Sequence, residues 1–229
     1  MDNIKTNLTE INKRIAAAAE KSGRVPSDII LIGVTKTIEP ERINRLVSYN
    51  VPDLGENKAQ ELLSKYEHVP DARWHFIGHL QTNKIKYIID KVRMIHSVDS
   101  MKLAEEISKA AKKINKVMDV LIEVNVADEP SKYGVSLEKA REFSENIASF
   151  DGILLRGLMC VAPFVENPEE NRHFFRKMYE KYLDIKENLG HNEDINCLSM
   201  GMTHDFDVAI EEGASIIRIG TGIFGERYT

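Results

Sequence analysis

Short apolar runs alternate with amphipathic segments along the whole chain, and the two periods predict different elements. Ile29–Thr35, Val51–Gly55, Trp74–Gly78, Arg93–Val98, Val117–Val126, Ile153–Met159, Ile195–Met200 and Ser215–Gly220 carry the signal of eight short strands. Consecutive apolar positions, as in Ile29-Ile-Leu-Ile, read as strands buried on both faces, the habit of parallel sheets. Helical spacing fills the intervals. Ile11, Ile15 and the alanines at 16–19 give residues 4–22 one apolar face, and Gly23 and Pro26 end it. Leu103, Ile107, Ala110 or Ala111 and Ile114 follow the capping candidates Asp99 and Ser100. Leu137, Ala140, Phe143 and Ile147 follow Ser136 in the same way. The segment from Pro168 to Leu189 is aromatic on one side, through Phe174, Phe175, Met178 and Tyr182. Asp205 and Asp207 suit the start of a short helix, which Gly213 terminates.

Strands that alternate regularly with helices predict a parallel sheet with right-handed crossovers. Eight of them without a break predict an α/β protein, a closed (β/α)8 TIM barrel with one extra N-terminal helix. The alternative is an open doubly wound sheet, but no Gly-x-Gly-x-x-Gly follows the first strand as a dinucleotide fold requires. No linker, repeat or low-complexity tract divides the chain, so residues 1–229 are expected to form a single domain.

Hydrophobic residues at 42% and charged residues at 29% are ordinary for a soluble globular protein. A net charge of -5 argues against a nucleic-acid surface while leaving room for a local basic pocket. No apolar leader or membrane-length stretch occurs, and Cys160 and Cys197 lack metal-ligand spacing. A cytoplasmic protein with reduced thiols is expected.

Candidate chemistry collects at strand ends, where such barrels place their sites. Lys36 closes the run Ile29-Ile-Leu-Ile-Gly-Val-Thr-Lys36. An amine there is either a surface lysine just past a strand or a partly desolvated nucleophile suited to Schiff-base chemistry. The ends of strands seven and eight, Leu198-Ser-Met-Gly-Met202 and Ile217-Arg-Ile-Gly-Thr-Gly-Ile-Phe-Gly225, fall where barrels hold phosphate. Ser199 and Thr221 offer hydroxyls, and Gly220 and Gly222 allow close backbone approach to an anion. Arg218 interrupts a strand that should be buried, so it is expected to meet either a carboxylate or a ligand. Asn57, after the second strand, serves as a helix cap or a ligand contact. His75 and His79 lack the surroundings of a metal site and are expected to pack and hydrogen-bond.

Taken together, Val34-Thr-Lys36, Gly55-Glu-Asn57 with Gln60-Glu61, and Trp74-His-Phe-Ile-Gly-His-Leu-Gln-Thr-Asn-Lys84 resemble the pyridoxal-phosphate homeostasis proteins. So do His96-Ser-Val-Asp99, Gly157-Leu-Met159, Leu198-Ser-Met-Gly-Met-Thr-His-Asp-Phe206, and Arg218-Ile-Gly through Phe224-Gly225. That family is related to the N-terminal barrel of bacterial alanine racemase. The resemblance implies that Lys36 forms a Schiff base with pyridoxal 5′-phosphate and that Arg218 faces the pyridine nitrogen. It also implies that Ser199, Gly220 and Thr221 hold the phosphate and that Asn57 lies near the ring. Two positions depart from the pattern. Ile38 and Glu39 stand where many members carry a second lysine followed by proline, and Cys160-Val-Ala-Pro163 is a looser match.

An arginine at the pyridine nitrogen cannot take the place of a protonating carboxylate, so the ring is a weaker electron sink. The chain ends nine residues after Gly220, which leaves no length for the β-rich domain of racemases. The expectation is therefore a non-catalytic protein of vitamin B6 homeostasis, a monomer, which holds the cofactor and, as the resemblance implies, supplies it to dependent enzymes. The alternatives are a minimal amino-acid racemase, a cofactor-free aldolase using Lys36, and a scaffolding barrel. Lys132, in Ser131-Lys-Tyr-Gly134, is a further exposed amine near the barrel mouth, read as a solvated loop lysine or as a transient acceptor of the aldehyde.

Overall fold

The computed structural model describes residues 3–189 and 193–225. Nine parallel strands run through them: β1 (Ile30–Val34), β2 (Asp53–Glu56), β3 (Arg73–Phe76), β4 (Val92–Val98), β5 (Met118–Asn125), β6 (Val135–Ser136), β7 (Ile153–Cys160), β8 (Cys197–Ser199) and β9 (Ile216–Ile219). Eight of these close on themselves in the order β1-β2-β3-β4-β5-β7-β8-β9, because β4 pairs with β5 and β9 returns to β1. That closure excludes the open doubly wound sheet. The strand absent from the sequence reading is β6, two residues long, which pairs outside the barrel with the end of β5 through Val124↔Val135 and Asn125↔Ser136.

Helices cover the barrel: α1 (Ile4–Lys21), α2 (Pro40–Ser48), α3 (Ala59–Tyr66), α4 (Ile85–Ile88), α5 (Met101–Lys113), α6 (Ala140–Ile147), α7 (Arg172–Asn188), α8 (Phe206–Glu211) and α9 (Thr221–Phe224). The extra N-terminal helix is α1. Its stripe of Ile4, Leu8, Ile11, Ile15, Ala18 and Ala19 is buried at helical spacing. Arg14 locks it onto α8 by pairing with Asp207 and stacking 4.2 Å over the Phe206 ring. The expected caps fare differently. Ser100 occupies the N-cap of α5 but makes no side-chain cap bond, whereas Asp205 turns its Oδ1 to the Met202 N–H and shapes the loop before α8.

The apolar interior divides in two. A large shell lies between sheet and helices, and a small cluster of Ile32, Met94, Leu121, Met159, Cys197 and Ile216 fills part of the barrel lumen. The rest of the lumen is polar: His75, His96, Ser199 and Arg218 are all buried inside it. A buried polar layer costs stability unless each group finds a partner, so its partners define what the lumen is for.

Candidate functional site

Lys36 lies two residues past β1, half-buried, and no hydrogen bond or ion pair joins it to another described residue. Its neighbours on both sides are pinned. The Thr35 hydroxyl donates to Glu56 Oε1 at 2.6 Å, and the Thr35 carbonyl accepts from Lys65 Nζ at 2.7 Å. Lys65 also pairs with Glu56 at 2.7 Å and with Glu61 at 3.4 Å. Glu61 Oε2 in turn accepts the Thr37 N–H at 2.8 Å. Thr37 has φ of 63°, a region costing a β-branched residue on the order of 1–3 kcal/mol, which these bonds hold in place. Burial raises the Glu56 carboxyl above its usual range, against the lowering effect of Lys65 and Thr35.

Arg218, on β9, projects into the lumen and is 4% exposed. Among the described residues it meets no carboxylate directly, which sets aside the first of the two expected partners and leaves the ligand open. Nη1 donates to the Ser199 hydroxyl at 2.6 Å and Nη2 to the Cys160 carbonyl at 2.7 Å. Neutral acceptors can satisfy a buried guanidinium if carboxylates nearby balance its charge. Asp205 does so through space. Glu123, on β5, has its Oε2 buried without a partner, and burial together with Asp99 raises its carboxyl to about 7.

Ser199 is fully buried and bonded to Arg218 and His96, not directed to the loops above it. The loop hydroxyl facing the end of β9 is that of Thr203. It accepts the Gly222 N–H at 3.2 Å and lies 3.3 Å from the Thr221 hydroxyl. Gly220 precedes α9 and Thr221 opens it. A Cβ at Gly222 would come within 2.9 Å of Thr203 Cγ2, so a side chain there would push Thr203 aside. Gly201, at φ of 89°, lets the preceding loop fold back so that its carbonyl accepts the Arg218 N–H at 3.1 Å.

Asn57 is not a helix cap. Lys58 holds the N-cap position of α3, and Asn57 Oδ1 is buried with no partner. His79 stacks on Tyr133 with ring centroids 3.9 Å apart and faces Asp99 at 3.3 Å. Lys132 pairs with Glu129 at 2.7 Å. Among the described residues no group of three or more His, Cys, Asp or Glu side chains could hold a metal ion, and no helix is long and apolar enough to cross a membrane.

The alanine racemase N-terminal domain matches residues 2–228. A pyridoxal phosphate homeostasis protein of Aquifex aeolicus is 47% identical over 222 residues, spanning 96% of both chains. The chain belongs to the pyridoxal phosphate homeostasis proteins. PipY of Synechococcus elongatus, solved with PLP bound, superposes on this member of the family with a TM-score of 0.78 at 28% identity, covering 92% of this chain and all of that one. Alanine racemase of Clostridium difficile shares the fold at 16% identity and a TM-score of 0.73, with 99% of this chain spanning 57% of the racemase.

Of the residues expected from sequence, Lys36, Asn57, Arg218, Gly220 and Thr221 all stand at the C-terminal ends of strands β1, β2 and β9 or in the loops just beyond. The sequence reading missed Glu123, Thr203 and the Lys65 clamp. Glu123 carried a signal like that of Arg218, a charge flanked by apolar residues in a strand, though Asp119 shares that strand.

Proposed function

We propose that this protein binds pyridoxal 5′-phosphate at the C-terminal mouth of its barrel, through Lys36, and serves as a reservoir of the cofactor rather than as a catalyst. The observation that carries the reading is the mount of Lys36: a partner-free amine between two residues each fixed by a buried ion cluster. Membership of the family and the PLP bound to PipY support it.

The residues present fit the group. Glu123 Oε2 and Asn57 Oδ1 are buried polar atoms without partners, which a bound polar ligand can satisfy. The Thr203 and Thr221 hydroxyls, 3.3 Å apart where α9 begins, suit a phosphate. When bound, pyridoxal 5′-phosphate supplies an aldehyde that an amine holds as a Schiff base. Lys36 supplies that amine. Thr203, Gly220 and Thr221 would hold the phosphate, and Arg218 would face the pyridine nitrogen, as the resemblance implies. Ser199, its hydroxyl already committed, supports Arg218 instead of the phosphate, a revision of the role expected from resemblance. Asn57 lies beside the ring.

Arg218 favours holding over catalysis. A guanidinium keeps its protons, so the ring nitrogen opposite it stays unprotonated and draws electrons weakly. The Aquifex homeostasis protein is spanned to 96% by this chain, which supports a role within the reach of a barrel of this size. Supply of cofactor to dependent enzymes, a cytoplasmic site and a monomeric state complete the reading. The free thiols Cys160 and Cys197 agree with a reducing compartment.

The test is an absorption spectrum after addition of pyridoxal 5′-phosphate. Wild type is expected to develop a visible band that borohydride traps on Lys36, and Lys36→Ala is expected to develop none. A band of equal strength in Lys36→Ala would overturn the assignment. Racemisation of alanine at an ordinary enzymatic rate would overturn the reservoir reading.

A further inference from the structure

The barrel lumen holds one continuous chain of hydrogen bonds from its N-terminal face to Arg218. It begins at Arg73, on β3, which donates to both carboxylate oxygens of Asp53 on β2. Asp53 Oδ1 lies 3.0 Å from His75 Nε2, His75 Nδ1 lies 3.0 Å from His96 Nε2, and His96 Nδ1 lies 3.1 Å from the Ser199 hydroxyl. Ser199 accepts from Arg218. Strands β2, β3, β4, β8 and β9 all contribute, and His75, His96 and Ser199 are each no more than 2% exposed.

Only one direction of proton donation satisfies every member. Asp53 is a carboxylate: burial alone would raise it, but hydrogen bonds from His75 and Arg73 hold it below its usual range. It therefore accepts, which places a proton on His75 Nε2. With His75 neutral, its Nδ1 accepts from His96 Nε2–H, and His96 Nδ1 accepts the Ser199 O–H. Ser199 then spends its one proton on His96 and offers its lone pair to Arg218. A charged His75 would reverse the chain and leave the Ser199 proton with no acceptor. Burial above all pushes the His96 imidazole well below its usual range, which agrees with a neutral ring.

We infer that Asp53, His75 and His96 are positioning residues for the cofactor, holding Arg218 against the pyridine side through Ser199 with all protons donated toward Asp53. This rests on the site proposed above. The carboxylate sets the direction at the N-terminal face, and each neutral imidazole passes it one step nearer the mouth. Arg218 gains an acceptor that cannot rotate, since a reversed Ser199 hydroxyl would point its hydrogen at the guanidinium. Ser199 and Cys160 thereby take one N–H from each terminal nitrogen, leaving Nε–H and one further N–H on each of Nη1 and Nη2.

Long-range ¹H–¹⁵N spectra of the cofactor-free protein at pH 7 read the protons directly. Both His75 and His96 are expected as neutral Nε2–H tautomers. A charged ring or an Nδ1–H tautomer at either position would overturn the inference, whether or not the protein binds cofactor. The second arm uses Asp53→Ala and His96→Ala, with Arg156→Ala as the control. Arg156 pairs with Asp119 and lines the same cleft of about 470 Å³ at the N-terminal face, outside the chain. Asp53→Ala and His96→Ala are expected to weaken pyridoxal 5′-phosphate binding tenfold or more and to move the visible band, while Arg156→Ala changes neither. His96→Gln, which retains one donor and one acceptor, is expected to recover part of the shift. Identical affinity and band position in wild type, Asp53→Ala and His96→Ala would overturn the positioning role. Failure of the wild type itself to bind would instead overturn the proposed function and leave the tautomer result standing.

Discussion

Lys65 clamps Thr35 from beneath, with Nζ 2.7 Å from the Thr35 carbonyl and the same distance from Glu56 Oε1. A cation on α3 thus fixes the residue before Lys36 to the end of β2. Removing the cation leaves Glu56 buried without its counter-ion, a change that costs about 3–5 kcal/mol in comparable pairs. Lys65→Met is therefore expected to lower the unfolding free energy, read from urea titration at pH 8, by that order. The loss should be smaller at pH 5. Burial already raises Glu56, and without Lys65 its carboxyl takes up a proton more readily and sheds the uncompensated charge. Cofactor affinity should fall alongside stability, because Thr35 no longer aims its neighbour. Equal destabilisation at both pH values would contradict this account.

Glu123 gives the protein a stability that declines with rising pH. An unfolded glutamate ionises near 4.5, whereas in the folded lumen burial and Asp99 hold the proton to about 7. Between those values the native state binds more protons than the unfolded chain, so unfolding free energy falls as pH rises, by up to about 3 kcal/mol across the window. Glu123→Gln keeps the shape and removes the ionisation. Urea titrations from pH 4 to 8 are expected to show this downward contribution in wild type and its absence in Glu123→Gln, with the variant the more stable of the two above pH 7.

The legibility of the fold and of the site differed for physical reasons. Strand and helix periods are local, so eight barrel strands and α1 could be read directly, and β6 escaped because a two-residue strand has no period. Single anomalous residues were legible too. Arg218 within Ile216-Ile-Arg-Ile and Lys36 at the end of an apolar run each violate their surroundings. What the sequence withheld is pairing across the barrel. Nothing in the spacing of Asp53, His75, His96 and Ser199 says that they touch, since strand register decides it. Ser199 shows the cost: its hydroxyl looks available beside Met200-Gly-Met-Thr203, yet the turn at Gly201 lifts Thr203 into the loop and leaves Ser199 in the lumen.

Neither cysteine should behave as a reactive thiol. Burial pushes Cys160 up to about 12 and Cys197 up to about 11, so the thiolate is scarce at neutral pH. Reaction with a disulfide reagent at pH 8 is expected to be slow in the native protein and complete within minutes in denaturant. A fast native phase would show that the lumen around Cys197, or the shell around Cys160, opens more readily than its packing implies.

The phosphate turn predicts a discrimination between two aldehydes. Thr203 accepts the Gly222 N–H and lies beside Thr221, and a methyl at Gly222 would press on Thr203 Cγ2 and Ile219 Cγ2 at 2.9 and 3.0 Å. Gly222→Ala moves the threonine methyl by a few tenths of an ångström and narrows the turn, while Thr203→Ala removes a hydroxyl. Each change is local to α9 and the preceding loop and leaves the Lys36 mount intact. Both variants are therefore expected to bind pyridoxal 5′-phosphate about ten- to a hundredfold more weakly, equivalent to about 1.4–2.8 kcal/mol. Their affinity for pyridoxal, which lacks the phosphate, should stay at the wild-type value. Spectral titration with both aldehydes measures the ratio. A parallel loss for pyridoxal would mean that these residues serve the lysine loop or the fold as a whole, and the phosphate would then have to be sought at another strand end.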